Sequence, residues 1–182
     1  MLCTLTNKKN IKMKSINKTI VMIIVMLSIT LSSSFAQITK VTLQASGLTC
    51  SMCNLAVKKS LQKLSFIKEI HADVETSIYT LTFKEGEKII LSDIQKAVKK
   101  AGFSVAKLVF TSTFNNMLIP ENSQIVADGN TYHIIDNKNK KLNGSVDLRI
   151  IDKEFVLDKE YKKYKSKIIV NLEKQIFNVT IN

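Results

Sequence analysis

Between residues 38 and 109 the apolar spacing switches from every second residue to helical spacing and back, twice over. No other feature narrows the possible folds of this chain as far. Val41, Leu43 and Ala45 alternate with polar neighbours, which predicts a strand. Cys53, Val57, Leu61 and Leu64 then recur at helical spacing, with Ser51 expected as the N-cap. A second strand is expected near residues 67–74, a turn at Glu75-Thr76-Ser77, and a third strand where Tyr79, Leu81 and Phe83 alternate. In LSDIQKAVKKAGF, Ile94, Ala97, Val98 and Ala101 form one helical face. Ser92 and Gln95 match a capping box there, and Gly102 stands where a helix-terminating glycine belongs. A fourth strand follows over residues 103–109. The order βαββαβ predicts an α+β, ferredoxin-like domain over residues 37–110, an antiparallel sheet with both helices on one face.

The flanking segments read differently. Residues 111–122, with the sole proline Pro120, are expected to be a linker. Residues 123–182 carry no long helical pattern and read as a small all-β domain, barrel- or sandwich-like. Asp128-Gly129-Asn130 signals a turn, and NKNKKLNG signals a further reversal. Val146, Leu148 and Ile150 alternate, as do Phe177, Val179 and Ile181, and KIIVNL is an apolar strand candidate. EYKKYK, residues 160–165, reads as one helical turn or a charged loop. Upstream, Lys14 and Lys18 precede an apolar run from Ile20 to Leu31, and small residues then end at Ser34-Phe35-Ala36. This is the layout of a secretory signal peptide over residues 1–36, with residues 1–12 an upstream extension and cleavage expected between Ala36 and Gln37. The apolar run is shorter than the roughly 20 residues that cross a bilayer, which argues against a retained anchor. The expected location is therefore the periplasm or cell envelope, the membrane being met only transiently. Cys3 would be lost with the peptide, leaving Cys50 and Cys53 in the mature chain.

Charge excludes one class of partner. The formal net charge is +12, yet Arg149 is the only arginine and no basic cluster is interleaved with aromatics. That pattern fits a solvated basic surface and not a nucleic-acid interface. Nothing in the sequence sets an oligomeric state.

The chemistry-bearing segment is SGLTCSMCNLAVKKSL, residues 46–61. A C-x-x-C on a loop that runs into a helix can aim both sulfurs at one point. Thiolates select soft ions such as Cu(I), and a helix N-terminus favours the thiolate form. The same pair could be a thiol–disulfide exchanger, a passive disulfide, or half of a structural zinc site. The last needs four ligands, and only His71 and His133 remain to supply them, in different domains. Both histidines are expected at the surface.

GLTCSMC between a strand and an amphipathic helix, within βαββαβ and with KKAGF before the last strand, resembles the heavy-metal-associated domain family over about residues 38–109. The motif of that family is G-M-T-C-x-x-C, and it includes copper chaperones, modules of copper ATPases and the periplasmic mercury-binding protein. Leu48 replaces the usual Met with an apolar residue of similar volume. The resemblance implies that Cys50 and Cys53 are the metal ligands and that Phe103 lies beside the metal, although core packing is an equal reading of Phe103. Lys99 and Lys100 could add positive potential nearby, and the Met52 sulfur could approach the ion. The expected function is that of an exported protein, not an enzyme, which captures and hands over a soft ion by thiolate exchange. The ion expected is Cu(I), with Hg(II), Zn(II) or another thiophilic ion as alternatives. The partner would be a metal-donor or metal-acceptor protein such as a metal-transporting pump. A thiol–disulfide oxidoreductase and a Hg(II)-binding periplasmic scavenger are the competing functions.

Overall fold

The computed structural model describes residues 37–182 except 121, 128, 136–139 and 172–174. The expected signal peptide, its cleavage position and Cys3 lie outside the described residues. The first half follows the periodicities: β1 (Ile38–Ser46), α1 (Ser51–Leu61), β2 (Ile67–Asp73), β3 (Ile78–Phe83), α2 (Leu91–Lys100) and β4 (Ser104–Ile119). Val57 and Leu61 of α1 join Leu91, Ile94, Ala97 and Val98 of α2 in one buried cluster with Val41, Leu43, Tyr79, Leu81 and Leu108 of the sheet. The Ser60 hydroxyl donates to the Ala97 carbonyl at 2.6 Å and ties the two helices together.

The two ends of α2 compare differently with the sequence pattern. The Ser92–Gln95 capping box does not form: α2 starts two residues earlier, at Leu91, with Ile90 as an N-cap that offers no side-chain bond. Burial of Leu91 decides this, because Leu91, Ile94 and Val98 share a face only if Leu91 is already helical. Gly102 does what was expected, at φ +90, with its N–H on the Lys99 carbonyl and the Phe103 N–H on Val98.

Beyond β4 come β5 (Gln124–Ala127), β6 (Asn130–Ile134), β7 (Lys140–Ile150), α3 (Asp158–Tyr164), a 3₁₀ turn at Lys165–Lys167, and β8 (Ile176–Ile181). Among the described residues all eight strands form one sheet, in the order β2-β3-β1-β4-β7-β8-β6-β5. The C-terminal strands thus extend the first sheet and do not close a barrel or sandwich of their own. The junction is β4, which continues as strand to Ile119 through residues expected as linker. Its inward face runs on through Leu108, Phe110, Ser112 and Phe114, all buried. Ser112 fills a core position because its hydroxyl donates to the Gln37 carbonyl at 3.1 Å. Past Phe114 the ladder slips, three steps on β4 facing two on β7, with Asn116 at φ +48. The extra residue reverses the parity of the strand and returns Ile119 to the core. Aromatic rings continue that core: Phe110 to Tyr132 at 4.7 Å, Tyr132 to Phe177 at 5.7 Å, and Phe155 edge-on to Phe177 at 5.6 Å.

Two further expectations are corrected. KIIVNL is not a strand over its described residues. Ile168 instead packs with Ile135, Ile151 and Val156, and the next residue is held by a side chain. The Ile169 N–H donates to Asn178 Oδ1 at 2.9 Å, and its carbonyl accepts from Asn178 Nδ2 at 3.0 Å, so an amide side chain stands in for a neighbouring strand. His133 is buried, not superficial, with Nδ1 3.0 Å from Asn178 Oδ1. Asp152 accepts from the Asn178 backbone N–H at 3.0 Å and from Nδ2 at 2.7 Å. Burial pushes the Asp152 carboxyl up from its ordinary value, against the opposing effects of those bonds and of His133.

Phe110→Ala is expected to cost about 3–5 kcal/mol and to lower a single unfolding transition, followed by near-UV and far-UV circular dichroism together. Two separated transitions would show that the halves unfold independently. Because the folded-state pKa of Asp152 is raised, its share of stability is full below the ordinary value of 3.8 and is lost as pH rises through the folded value. The stability of Asp152→Asn minus that of the native chain, measured by urea unfolding, should therefore climb with pH across that window and stay level on either side.

Candidate metal centre

The site is built on the loop from β1 to α1. Gly47 turns the chain at φ +86, and a Cβ there would stand 3.9 Å from Phe103 Cδ1. Leu48, the apolar replacement for the usual Met, packs half-buried against the core. Cys50, not Ser51, is the N-cap of α1: its backbone is extended, and its sulfur accepts the Cys53 N–H at 3.2 Å. A sulfur therefore occupies the place that a serine or aspartate oxygen usually takes at a helix start. The Cys50 carbonyl also accepts from Cys53 N at 3.0 Å and from Asn54 N at 3.2 Å. No acidic residue stands in the first turn to compete with a sulfur anion, while Lys58 and Lys59 complement the far end of the helix dipole.

Cys50 and Cys53 are joined in a disulfide, with their Cα atoms 5.2 Å apart. Cys50 is exposed and Cys53 half-buried, and Met52 beside them is 71% exposed. Two sulfurs that already meet at a helix N-terminus can, once reduced, hold one soft ion or exchange a disulfide. Among the described residues no group of three or more His, Cys, Asp or Glu side chains could hold a metal. His71 lies exposed on β2, and His133 is engaged in the Asn178 network. Neither joins the cysteines.

Behind the loop sits a pair that the sequence reading passed over. Asn54 is buried on the same face of α1 as Val57 and Leu61. The hydroxyl of fully buried Tyr79 donates to Asn54 Oδ1 at 2.7 Å, and the Asn54 carbonyl lies 3.3 Å from it. Asn54 Nδ2 in turn reaches the Cys50 carbonyl at 3.5 Å. Burial pushes the Tyr79 phenol up, so it remains a donor at neutral pH. The available signal was a polar residue on an otherwise apolar helical stripe.

On the opposite flank, Phe103 is half-buried against the core and walls a cleft of about 380 Å³ shared with Ser46, Lys99, Glu154 and Leu157. Lys99 Nζ is 3.1 Å from Glu154 Oε2, which also accepts from Gln95 at 3.1 Å. The positive potential expected of Lys99 near the loop is thus offset by a carboxylate from the C-terminal half. Among the described residues no helix is long and apolar enough to cross a membrane.

The heavy-metal-associated domain family matches residues 42–104. The copper chaperone CopZ of Bacillus subtilis (strain 168) is 32% identical over 66 residues, 36% of this chain and 94% of that protein. The mercuric transport protein periplasmic component of Serratia marcescens is 33% identical over 63 residues, 35% of this chain and 68% of that protein. The crystal structure of oxidized MerP from Ralstonia metallidurans CH34 aligns with 37% of this chain and 96% of its own, at 33% identity and a TM-score of 0.34.

Gly47→Ala is expected to cost about 1–2 kcal/mol of stability, measured by thermal or urea unfolding, because a Cβ disfavours the left-handed backbone there. An unchanged midpoint would mean that the loop relaxes to negative φ without loss.

Proposed function

The chain belongs to the heavy-metal-associated domain family through residues 42–104, and from that premise we propose that it captures a soft metal ion, Cu(I), at Cys50 and Cys53 and hands it on by thiolate exchange. The observation that carries the reading is the convergence of both sulfurs at the start of α1, where the N–H groups of the first turn favour negative charge. Reduction of the disulfide by a dithiol or thiol donor supplies two electrons and frees both ligands. Two thiolates then bind the ion and leave its remaining coordination positions open. An incoming thiolate from a partner can attack there and displace first one cysteine, then the other. No bond to carbon forms or breaks, and the metal keeps its oxidation state.

Softness admits Hg(II) at the same pair and, less strongly, Zn(II). The two relatives compared above are named as a copper chaperone and a mercuric transport protein. The partner in this reading is a metal-donor or metal-acceptor protein such as a metal-transporting pump. Export, with removal of residues 1–36, would place the exchange in the periplasm or cell envelope. The disulfide itself supports a second reading, a thiol–disulfide oxidoreductase.

The test is metal stoichiometry of the reduced chain from Gln37 to Asn182. It should bind about one Cu(I), and Cys50→Ser and Cys53→Ser should each abolish tight binding, because one thiolate alone cannot complete the pair. Reductase activity on a disulfide substrate, without tight binding of Cu(I) or Hg(II), would replace this reading by the second.

A further inference from the structure

We propose that Asn54 and Tyr79 are positioning residues of this site, a brace that keeps the Cys50 and Cys53 sulfurs convergent once their disulfide is reduced. The inference rests on the metal-exchange reading for its metal readout, and on geometry alone for the rest.

A buried asparagine on the core face of a helix costs stability unless its amide is satisfied, and an apolar residue would fill the place without that cost. Here every bond of the pair converges on one turn. Tyr79 lies in β3, an inner strand flanked by β2 and β1, so its hydroxyl is fixed by the sheet. It meets Asn54 through both the side-chain oxygen and the backbone carbonyl, at 2.7 and 3.3 Å. Asn54 Nδ2 lies 3.5 Å from the Cys50 carbonyl, which already accepts from Cys53 N and Asn54 N. The orientation of the Cys50 peptide is therefore referred to the sheet through two side chains. That peptide sets the direction of the Cys50 Cα–Cβ bond and hence the position of its sulfur. While the disulfide is closed, the covalent bridge holds the two residues together. After reduction these hydrogen bonds and the capping N–H at 3.2 Å remain to do so.

The experiment compares the full chain with Tyr79→Phe, Asn54→Ala and the double variant Asn54→Leu/Tyr79→Phe. The double change replaces both polar partners by apolar groups of similar size, which can leave stability nearly unchanged. It therefore separates the brace from the core. Two quantities are read besides urea stability: the dissociation constant for Cu(I) against a chelator, and the equilibrium of the Cys50–Cys53 disulfide with glutathione. The brace predicts Cu(I) binding weaker by about tenfold or more in all three variants, with one ion still bound per chain. It also predicts a disulfide more easily reduced by glutathione, since the freed sulfurs meet less often. Native Cu(I) affinity and native disulfide equilibrium in the double variant would overturn it, leaving the pair as an internal core hydrogen bond. If the native chain binds no Cu(I), the proposed function fails by itself, and the glutathione equilibrium alone decides the brace.

Discussion

The first turn of α1 is the constraint on which the site depends. Cys50 has to be extended for its sulfur to cap the helix, and Gly47 has to take a positive φ for the loop to deliver Cys50 there. Once both hold, the rest follows from helix geometry. Residues three apart lie on one side of a first turn, and Cys53 is drawn to Cys50 by an N–H that reaches both the Cys50 carbonyl and its sulfur. The same N–H groups that need a capping acceptor are the ones that favour a sulfur anion. Capping the helix and favouring a sulfur anion there are one interaction.

The C-terminal half matters to that turn through what it attaches to. Its bond to the first half is not the Lys99–Glu154 pair, whose side chains are 67% and 54% exposed and which is worth about 0.2–1 kcal/mol at most. It is β4, which pairs with β1 on one edge and β7 on the other, and whose Phe110 packs at a tilt against Tyr132. Burial of one such ring outweighs several surface ion pairs. The ion pair has a different consequence. It brings Glu154 to the end of α2, where it lines one cleft with Phe103 and with Ser46 at the end of β1.

The elements that could be read from the sequence were those whose burial is one-sided and regular. β1, β3, α1 and α2 have clean periods because one face meets the core and the other meets water. The linker over residues 111–122 was misread because Thr, Ser and Asn hide an alternation whose inward positions are Ser112 and Phe114. Only a hydrogen bond to Gln37, distant in sequence, lets Ser112 take its place. KIIVNL and His133 failed for a common reason, Asn178, whose side chain replaces a strand for Ile169 and a solvent partner for His133. Long-range amide bonds leave no periodic trace. In the candidate site, the C-x-x-C spacing read from the sequence does bring the two sulfurs together at the start of α1, whereas the Asn54–Tyr79 pair joins residues 25 apart and needed the sheet to bring them together.

Under the handover reading, the unequal burial of the two sulfurs gives the exchange a direction. Cys50 is exposed and Cys53 half-buried, with the helix behind it. A partner thiolate reaches the Cys50 side first, so that sulfur is the one released and replaced while Cys53 retains the ion. Met52 and Leu55, 71% and 40% exposed, form an apolar rim that a partner must cover to make the approach. Covering it removes water from around the three sulfurs, which strengthens every interaction between charge and dipole at the helix start. Under that reading, capture by an open pair and transfer to a covering partner use the same arrangement. A fully buried, four-ligand site would hold the ion as firmly against a partner as against water, and this loop has neither the burial nor, among the described residues, the ligands for that.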